Sequence, residues 1–105
     1  MIARIWHGWT SPENADVYEK IFTEETAVNI RNKNIPGYKG IELLKRSANN
    51  EVEFITIMYF ETMETIKEFA GEDYERAVVP EKAQKALLRY DATSQHYEII
   101  KRRED

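Results

Sequence analysis

A short apolar run in the middle of the chain constrains the fold most strongly. Residues 52–60 read Val-Glu-Phe-Ile-Thr-Ile-Met-Tyr-Phe. Because successive side chains of a strand point to opposite faces, this run would place large apolar groups on both faces of a sheet. A chain of 105 residues with two or three candidate helices can cover one face. We therefore expect a second subunit to cover the other face, and we predict a homodimer.

Composition excludes several classes of function. The net charge is -4, and the basic residues are scattered among more numerous acidic ones, so nucleic acid is not an expected partner. The absence of cysteine excludes disulfides, thiolate nucleophiles and sulfur ligands for zinc or iron-sulfur clusters. The sequence shows no signal-peptide core and no membrane span, which would need roughly 18 continuous apolar residues. We expect a cytoplasmic protein with no membrane partner, built as one domain over residues 1–100 with a charged tail at 101–105.

The order of the predicted elements indicates the fold class. Strands are predicted at residues 2–9, 38–46, 52–60 and 93–100, and helices at 13–33, 62–71 and 80–90. This βαββαβ order is typical of an α+β, ferredoxin-like fold, in which helices cover one face of an antiparallel four-stranded sheet. The usual strand order, 4-1-3-2, makes the doubly apolar third strand central. Two such sheets meeting through their helix-free faces would form a dimeric α/β barrel.

With this topology the chain resembles the antibiotic biosynthesis monooxygenase-like group of the dimeric α/β-barrel superfamily. The resemblance is carried by the short first strand, the passage Ile35-Pro36-Gly37-Tyr38-Lys39-Gly40, the junction Phe60-Glu61-Thr62-Met63-Glu64-Thr65 and the closing Ser94-Gln95-His96-Tyr97-Glu98. It implies a small-molecule pocket and, for some members, cofactor-free oxygenation of phenols or quinols, or haem degradation. It does not supply a single reaction.

The chain departs from the group's oxygenases at two positions. Those enzymes resemble one another in a tryptophan at the end of the third strand and an asparagine four residues earlier, where this chain has Phe60 and Thr56. The haem-degrading members use a helix histidine as the iron ligand, and the second helix here contains none. We therefore do not expect haem degradation, and we predict no cofactor.

His7 and His96 are the only histidines, and only such side chains titrate naturally near neutral pH. They lie on the first and last predicted strands, which this topology makes neighbours. If Trp9 lies opposite Ser94, then His7 lies opposite His96 on the same face, whereas a one-residue slip separates them. Either they take part in substrate binding and proton transfer, or each is a partly buried structural residue. With Glu98 they form a weaker candidate for a metal site, and we predict none.

Two further features leave alternatives open. Strand alternation groups Arg4 with Trp6 and Gly8, so Arg4 would approach the barrel interior or an interface, where a buried arginine would need a carboxylate partner. The polar run at residues 72–76 forms either a lid or a solvated loop, and the solvated loop is the simpler interpretation.

The favoured function is a cofactor-independent monooxygenase acting on a hydrophobic phenolic or quinol ligand. His7 or His96 would be the base, Trp9 and Phe60 the walls of the pocket, and Thr56 or Tyr97 a hydrogen-bonding group. The alternative is a non-catalytic, stress-related or ligand-binding dimer in which the histidines are structural and the aromatic residues form core or interface.

Overall fold

The computed structural model describes residues 1–104 and places four helical segments on one face of an antiparallel sheet. The strands are β1 (Ile2–Thr10), β2 (Tyr38–Ala48), β3 (Glu51–Phe60), β4 (Arg89–Tyr90) and β5 (Gln95–Glu98). The α-helices are α1 (Ala15–Ile21), α2 (Ala27–Asn32), α3 (Met63–Ala70) and α4 (Glu81–Ala86). A 3-10 turn at Pro12–Asn14 precedes α1, and a π-helical turn at Phe22–Thr26 joins α1 to α2.

The order of the sheet agrees with the prediction. The strands run β2-β3-β1, and both β4 and β5 pair with the other edge of β1. The α+β, ferredoxin-like fold is therefore confirmed, with β3 in the interior of the sheet. A strand in that position is hydrogen-bonded to a neighbouring strand along each edge. This suits the apolar sequence of β3.

Local sequence signals explain where the elements begin and end. The side chain of Thr62 accepts a hydrogen bond from the backbone N–H of Thr65 and caps α3. Gly71, with φ +90°, ends that helix. Asn49 and Asn50 both have positive φ, which is the geometry of a tight hairpin turn between β2 and β3.

The C-terminal third differs from the prediction in detail. The last helix was expected to reach Tyr90, but α4 ends at Ala86 and the chain becomes extended at Leu87. The N–H of Leu88 donates to the carbonyl of Trp9 at 2.7 Å, so the edge of β1 captures this segment as the extra strand β4. The closing strand is shorter than expected, and residues 101–104 form no helix or strand. Asp105, in the predicted tail, lies outside the described residues.

The helices cover only one of the two faces of the sheet. The helix-covered face holds the core, which includes Trp6, Phe54, Met58 and Phe60. The other face, here called the helix-free face, carries apolar side chains that remain partly or largely exposed: Ile5, Leu44, Ile55, Ile57 and Tyr97. Pairing of that face with a second subunit remains a prediction. Over residues 1–104, no helix has the length and apolar character needed to cross a bilayer.

Candidate functional site

A small cavity lies between the helix-covered face of the sheet and the helices. Its volume is about 50 Å³. One water needs about 10–15 Å³, so the cavity has room for roughly three to five waters or a ligand with as many non-hydrogen atoms. Its lining is mostly apolar and includes Trp6, Phe22, Ile30, Met58 and Phe69. Arg4, Tyr18, Thr26, Thr56 and Ser94 contribute polar groups.

Strand alternation and the π-helical turn direct these side chains to one place. Arg4 and Trp6 are two residues apart on β1 and lie opposite Met58 and Thr56 of β3. Paired residues in a sheet share a face, so all four point toward the helices. Phe22 begins the π-helical turn and lines the opposite wall. Such a turn is rare, and it occurs often at functional sites because it displaces the helix from regular geometry.

Arg4 is the most unusual residue in this cavity. Its exposed fraction is 3%. Nη1 donates to the carbonyl of Tyr74 at 2.6 Å, Nη2 donates to the carbonyl of Arg76 at 3.0 Å, and the guanidinium lies 5.7 Å from the centre of the Phe69 ring. Contrary to the prediction, the ion pairs among residues 1–104 include no carboxylate partner for Arg4. The polar run at 72–76 therefore holds the arginine through its backbone.

His96 is the fourth neighbour of Arg4. Nη1 of Arg4 lies 2.9 Å from Nε2 of His96. Because a guanidinium has only donors, Nε2 must be the acceptor, which assigns the proton of a neutral imidazole to Nδ1. Burial and the charge of Arg4 lower the pKa of His96, against a smaller opposing effect of Glu75. Burial also lowers the pKa of Arg4, to about 10, so it stays cationic at neutral pH.

Two hydroxyl groups supply the other polar pair. Buried Tyr18 and partly buried Thr56 both line the cavity, and the side chain of Thr56 acts on the hydroxyl of Tyr18. Burial raises the pKa of Tyr18 to about 12, with the Thr56 hydrogen bond acting in the opposite direction. Tyr18 therefore remains a neutral hydroxyl that can donate to a ligand.

Of the two arrangements that the sequence left open for the histidines, the structure has the one that separates them. His96 pairs with Arg4, an odd offset from the register that would place it opposite His7, so His7 and His96 lie on opposite faces. His7 is on the helix-free face, where Nδ1 lies 2.9 Å from Oε2 of Glu53 and the ring stacks on Trp9. The trio of His7, His96 and Glu98 does not converge on a common site, and residues 1–104 contain no cluster of metal-binding side chains.

The other predicted site residues are also divided between the faces. Thr56 lines the cavity, and its role as a hydrogen-bonding group for a ligand stays a prediction. Phe60 is fully buried behind it, with its ring centre 5.8 Å from that of Phe69. Trp9 and Tyr97 lie on the helix-free face, since they pair with Glu53 and Ala3. Of the aromatic residues expected to form walls, neither Trp9 nor Phe60 is part of the cavity lining.

Arg4, Tyr18 and Phe22 received no site role from the sequence. The alternation along β1 had already grouped Arg4 with Trp6. If the helix-covered face had been known, Arg4 and Trp6 would both have been identified as cavity residues. Which face the helices cover, however, depends on the tertiary structure. Tyr18 and Phe22 are four residues apart, the spacing of one helix face, but this spacing does not distinguish a core residue from one that lines a cavity.

Comparison with known proteins identifies relatives by structure alone. No protein-family model matches the sequence, and no curated protein matches it. The haem degrader MhuD from Mycobacterium tuberculosis, solved with two haems in its active site, superposes with a TM-score of 0.65 at 18% identity, covering 99% of this chain and 100% of its own. A mutant of MhuD with two manganese protoporphyrins bound per active site gives 0.64 at 15% identity, with full coverage of both chains.

A proposed antibiotic biosynthesis monooxygenase from Bacillus cereus superposes with a TM-score of 0.66 at 11% identity, covering 99% of this chain and 97% of its own. At such identities the likeness extends to the fold and not to the reaction. The resemblance predicted from the sequence is thereby confirmed at the level of architecture: the chain has the fold of the antibiotic biosynthesis monooxygenase-like proteins.

Proposed function

We propose that this chain is a cofactor-independent oxygenase that binds a hydrophobic phenol or quinol in the cavity between sheet and helices. The supporting observation is a buried cation, Arg4, with the hydroxyls of Tyr18 and Thr56 in a mostly apolar cavity. An apolar site with a few convergent polar groups is the common form of a small-molecule site. A phenol has both the ring that the apolar lining would bind and the oxygen that Arg4 would bind.

The polar groups suit the chemistry of such a substrate. Removing the phenolic proton produces a phenolate, which Arg4 would stabilise and which can transfer electrons to O₂. In a monooxygenation of this kind, the substrate loses two hydrogens and gains one oxygen atom as a quinone carbonyl, and the second oxygen atom leaves as water. His96 does not line the cavity itself but contacts Arg4, which does. Neutral with an unprotonated Nε2, it would accept the proton once Arg4 turns toward the phenolate.

His7 is the less suitable base for a substrate in this cavity. The sheet separates its ring from the cavity, and its Nδ1 is bonded to Glu53. The predicted roles of Trp9 and Tyr97 would likewise require a ligand on the helix-free face. In this proposal we therefore assign the base to His96 and keep Thr56 as the hydrogen-bonding group.

A ring-sized substrate requires the cavity to widen. Ligand pockets usually measure about 300–1,000 Å³, several times the present volume. The segment Val78–Pro80 and Ala83 of α4 cover the cavity, and Val78 is half exposed. Ala83 and Val79 pack in the core, whereas Val78 belongs to neither core cluster. We therefore expect the chain around Val78 to move when substrate enters.

The cavity does not fit a haem, although MhuD binds two. The present volume does not by itself decide this, because a ring-sized substrate also requires the cavity to widen. Of the two histidines, only His96 lies on the helix-covered face, and its Nε2 accepts a hydrogen bond from Arg4. An axial ligand would have to give up that bond beside a buried cation. We therefore derive no step through haem.

The proposal includes a homodimer formed through the helix-free face. Cross-strand pairing places Ile5 opposite Ile57, and Leu44 opposite Ile55, on that face. An apolar patch of this kind on a small domain is typical of an interface. The alternative function, a non-catalytic dimer that binds a hydrophobic ligand, is favoured by the small cavity and by the hydrogen bond that occupies Nε2 of His96.

Oxygen consumption tests the proposal. Untagged, chelator-treated protein would be mixed with 1-naphthol or 1,4-naphthohydroquinone, and O₂ uptake and quinone formation would be measured against the uncatalysed rate. His96→Gln keeps an acceptor for Arg4 but cannot take a proton at neutral pH, so we expect turnover to fall about 100-fold. His7→Ala should retain turnover. Full activity in His96→Gln would exclude it as the base, and binding without O₂ uptake would favour the alternative function.

A further inference from the structure

The charge balance of the cavity is incomplete. Arg4 is buried and cationic, yet its described partners are two backbone carbonyl groups, a neutral imidazole and an aromatic ring. A buried charge is normally paired with an opposite charge, because leaving water costs several kcal/mol. Burial alone lowers the pKa of Arg4, and no carboxylate raises that pKa in the opposite direction.

The guanidinium also has donors left for a ligand. Arg has five N–H groups. Contacts with residues 1–104 use three of them: two on Nη1, to Tyr74 and His96, and one on Nη2, to Arg76. The N–H of Nε and one N–H of Nη2 have no partner among these residues, and Nε and Nη2 lie on one edge of the planar group. That edge matches the two oxygens of a carboxylate in a bidentate pair.

We propose that the cavity takes an acidic ligand, whose carboxylate pairs with the Nε and Nη2 edge of Arg4 and completes the charge balance. This inference rests on the proposed function, since it names the substrate class of the same cavity: a phenol or quinol that carries a carboxylate. The apolar lining binds the ring, and the cation selects the charged group.

Two matched pairs of probes separate the anion site from the ring site. Propionate and propionamide have five non-hydrogen atoms each, within the capacity of roughly three to five estimated for the present cavity. Benzoate and benzamide add a ring and need the cavity to widen. Within each pair the shape is nearly constant while the charge changes. Comparison within a pair therefore tests the anion site, and comparison between pairs tests the ring site of the proposed function.

Binding of these probes can be followed by titrating them into the protein. The chain has two tryptophans, of which one serves as the reporter and the other as the control. Nε1 of Trp6, which lines the cavity, donates to the carbonyl of Asp91 at 2.8 Å, whereas Trp9 lies on the opposite face of the sheet. In a ¹⁵N–¹H spectrum the indole N–H of Trp6 should shift on binding, and that of Trp9 should remain unchanged.

We expect propionate to bind at least about tenfold more tightly than propionamide, the size of effect that a charge-assisted hydrogen bond gives. Arg4→Met should abolish this preference. Lys85→Met, which removes the same charge from an exposed site on α4, should retain it. The wild-type comparison stands even if Arg4→Met does not fold.

Equal binding of propionate and propionamide would overturn the inference, as would a shift of Trp9 without Trp6. If propionate is selected but neither aromatic probe moves Trp6, the anion site stands and the proposed ring site fails. If both aromatic probes bind equally and propionate is not selected, the ring site stands and the inference fails.

Discussion

Nη1 of Arg4 lies 2.9 Å from Nε2 of His96, and this contact joins the first strand of the sheet to the last. The two residues are also paired in the register of β1 and β5. The contact requires a neutral imidazole, because a protonated ring would place a donor against a donor and a second positive charge beside the guanidinium.

This contact predicts that acid destabilises the protein through His96. Burial and Arg4 lower the pKa of folded His96 below its ordinary value of 6.5. Between the lowered pKa and about 6.5, the unfolded chain binds a proton that the folded chain does not, so stability rises with pH through this window and falls on acidification. His96→Gln, which keeps an acceptor for Arg4 and does not titrate, should flatten this dependence. Urea unfolding from pH 5 to 7.5 measures it, and identical slopes in both proteins would contradict the prediction.

The Tyr18 and Thr56 hydroxyls should show energetic coupling. The side chain of Thr56 acts on the hydroxyl of Tyr18, so removing either hydroxyl deprives the other of a polar neighbour. A buried hydroxyl left without a partner costs about 1–3 kcal/mol. We expect Tyr18→Phe and Thr56→Val each to lower the free energy of unfolding, and the double variant to lose less than the sum. The double-mutant cycle by urea unfolding should give a coupling of about 1 kcal/mol. Additive losses would show that the two hydroxyls act independently.

Thr10 should be replaceable by valine without loss of stability. Its exposed fraction is 0%, and its hydroxyl has no hydrogen-bond partner within residues 1–104. Because an unsatisfied buried hydroxyl is unfavourable, Thr10→Val should leave the free energy of unfolding unchanged or raise it by about 1 kcal/mol. Thr65→Val is the matched control: Thr65 is buried with its Oγ1 3.1 Å from that of Thr62, and its loss should cost about 1 kcal/mol. Equal losses in both variants would contradict the assignment.

The exposed apolar residues of the helix-free face predict that the protein is a homodimer. Light scattering after size exclusion should give twice the mass of the chain. Ile57→Glu would place an unpaired carboxylate in the interface and should weaken association about 100-fold or more. Val17→Glu introduces the same charge at an exposed position of α1 and should leave the dimer intact. A monomeric wild-type protein at high concentration would remove the homodimer from the proposal.

Much of the fold was predictable because it depends on local sequence. The paired asparagines at 49 and 50, the Thr62 cap and the apolar run at 52–60 each specify a neighbouring element, and together they give the strand order. The end of α4 was not predictable in this way. Leu87 leaves the helix, and Leu88 bonds to the open edge of β1, a partner that lies 79 residues earlier in the chain (88 − 9).

The candidate site, like the fold, was only partly predictable from local sequence. Alternation along β1 determines that Arg4 and Trp6 share a face and that His7 and Trp9 share the other, because a strand has a period of two residues. Which of these faces the helices cover, and which residue of β5 lies opposite Arg4, are properties of the tertiary structure. Arg4 and His96 are separated by 92 positions, so their contact depends on how the whole sheet assembles. The sequence by itself therefore determined the residue types and their grouping by face, whereas long-range packing decided which group became buried around a cavity.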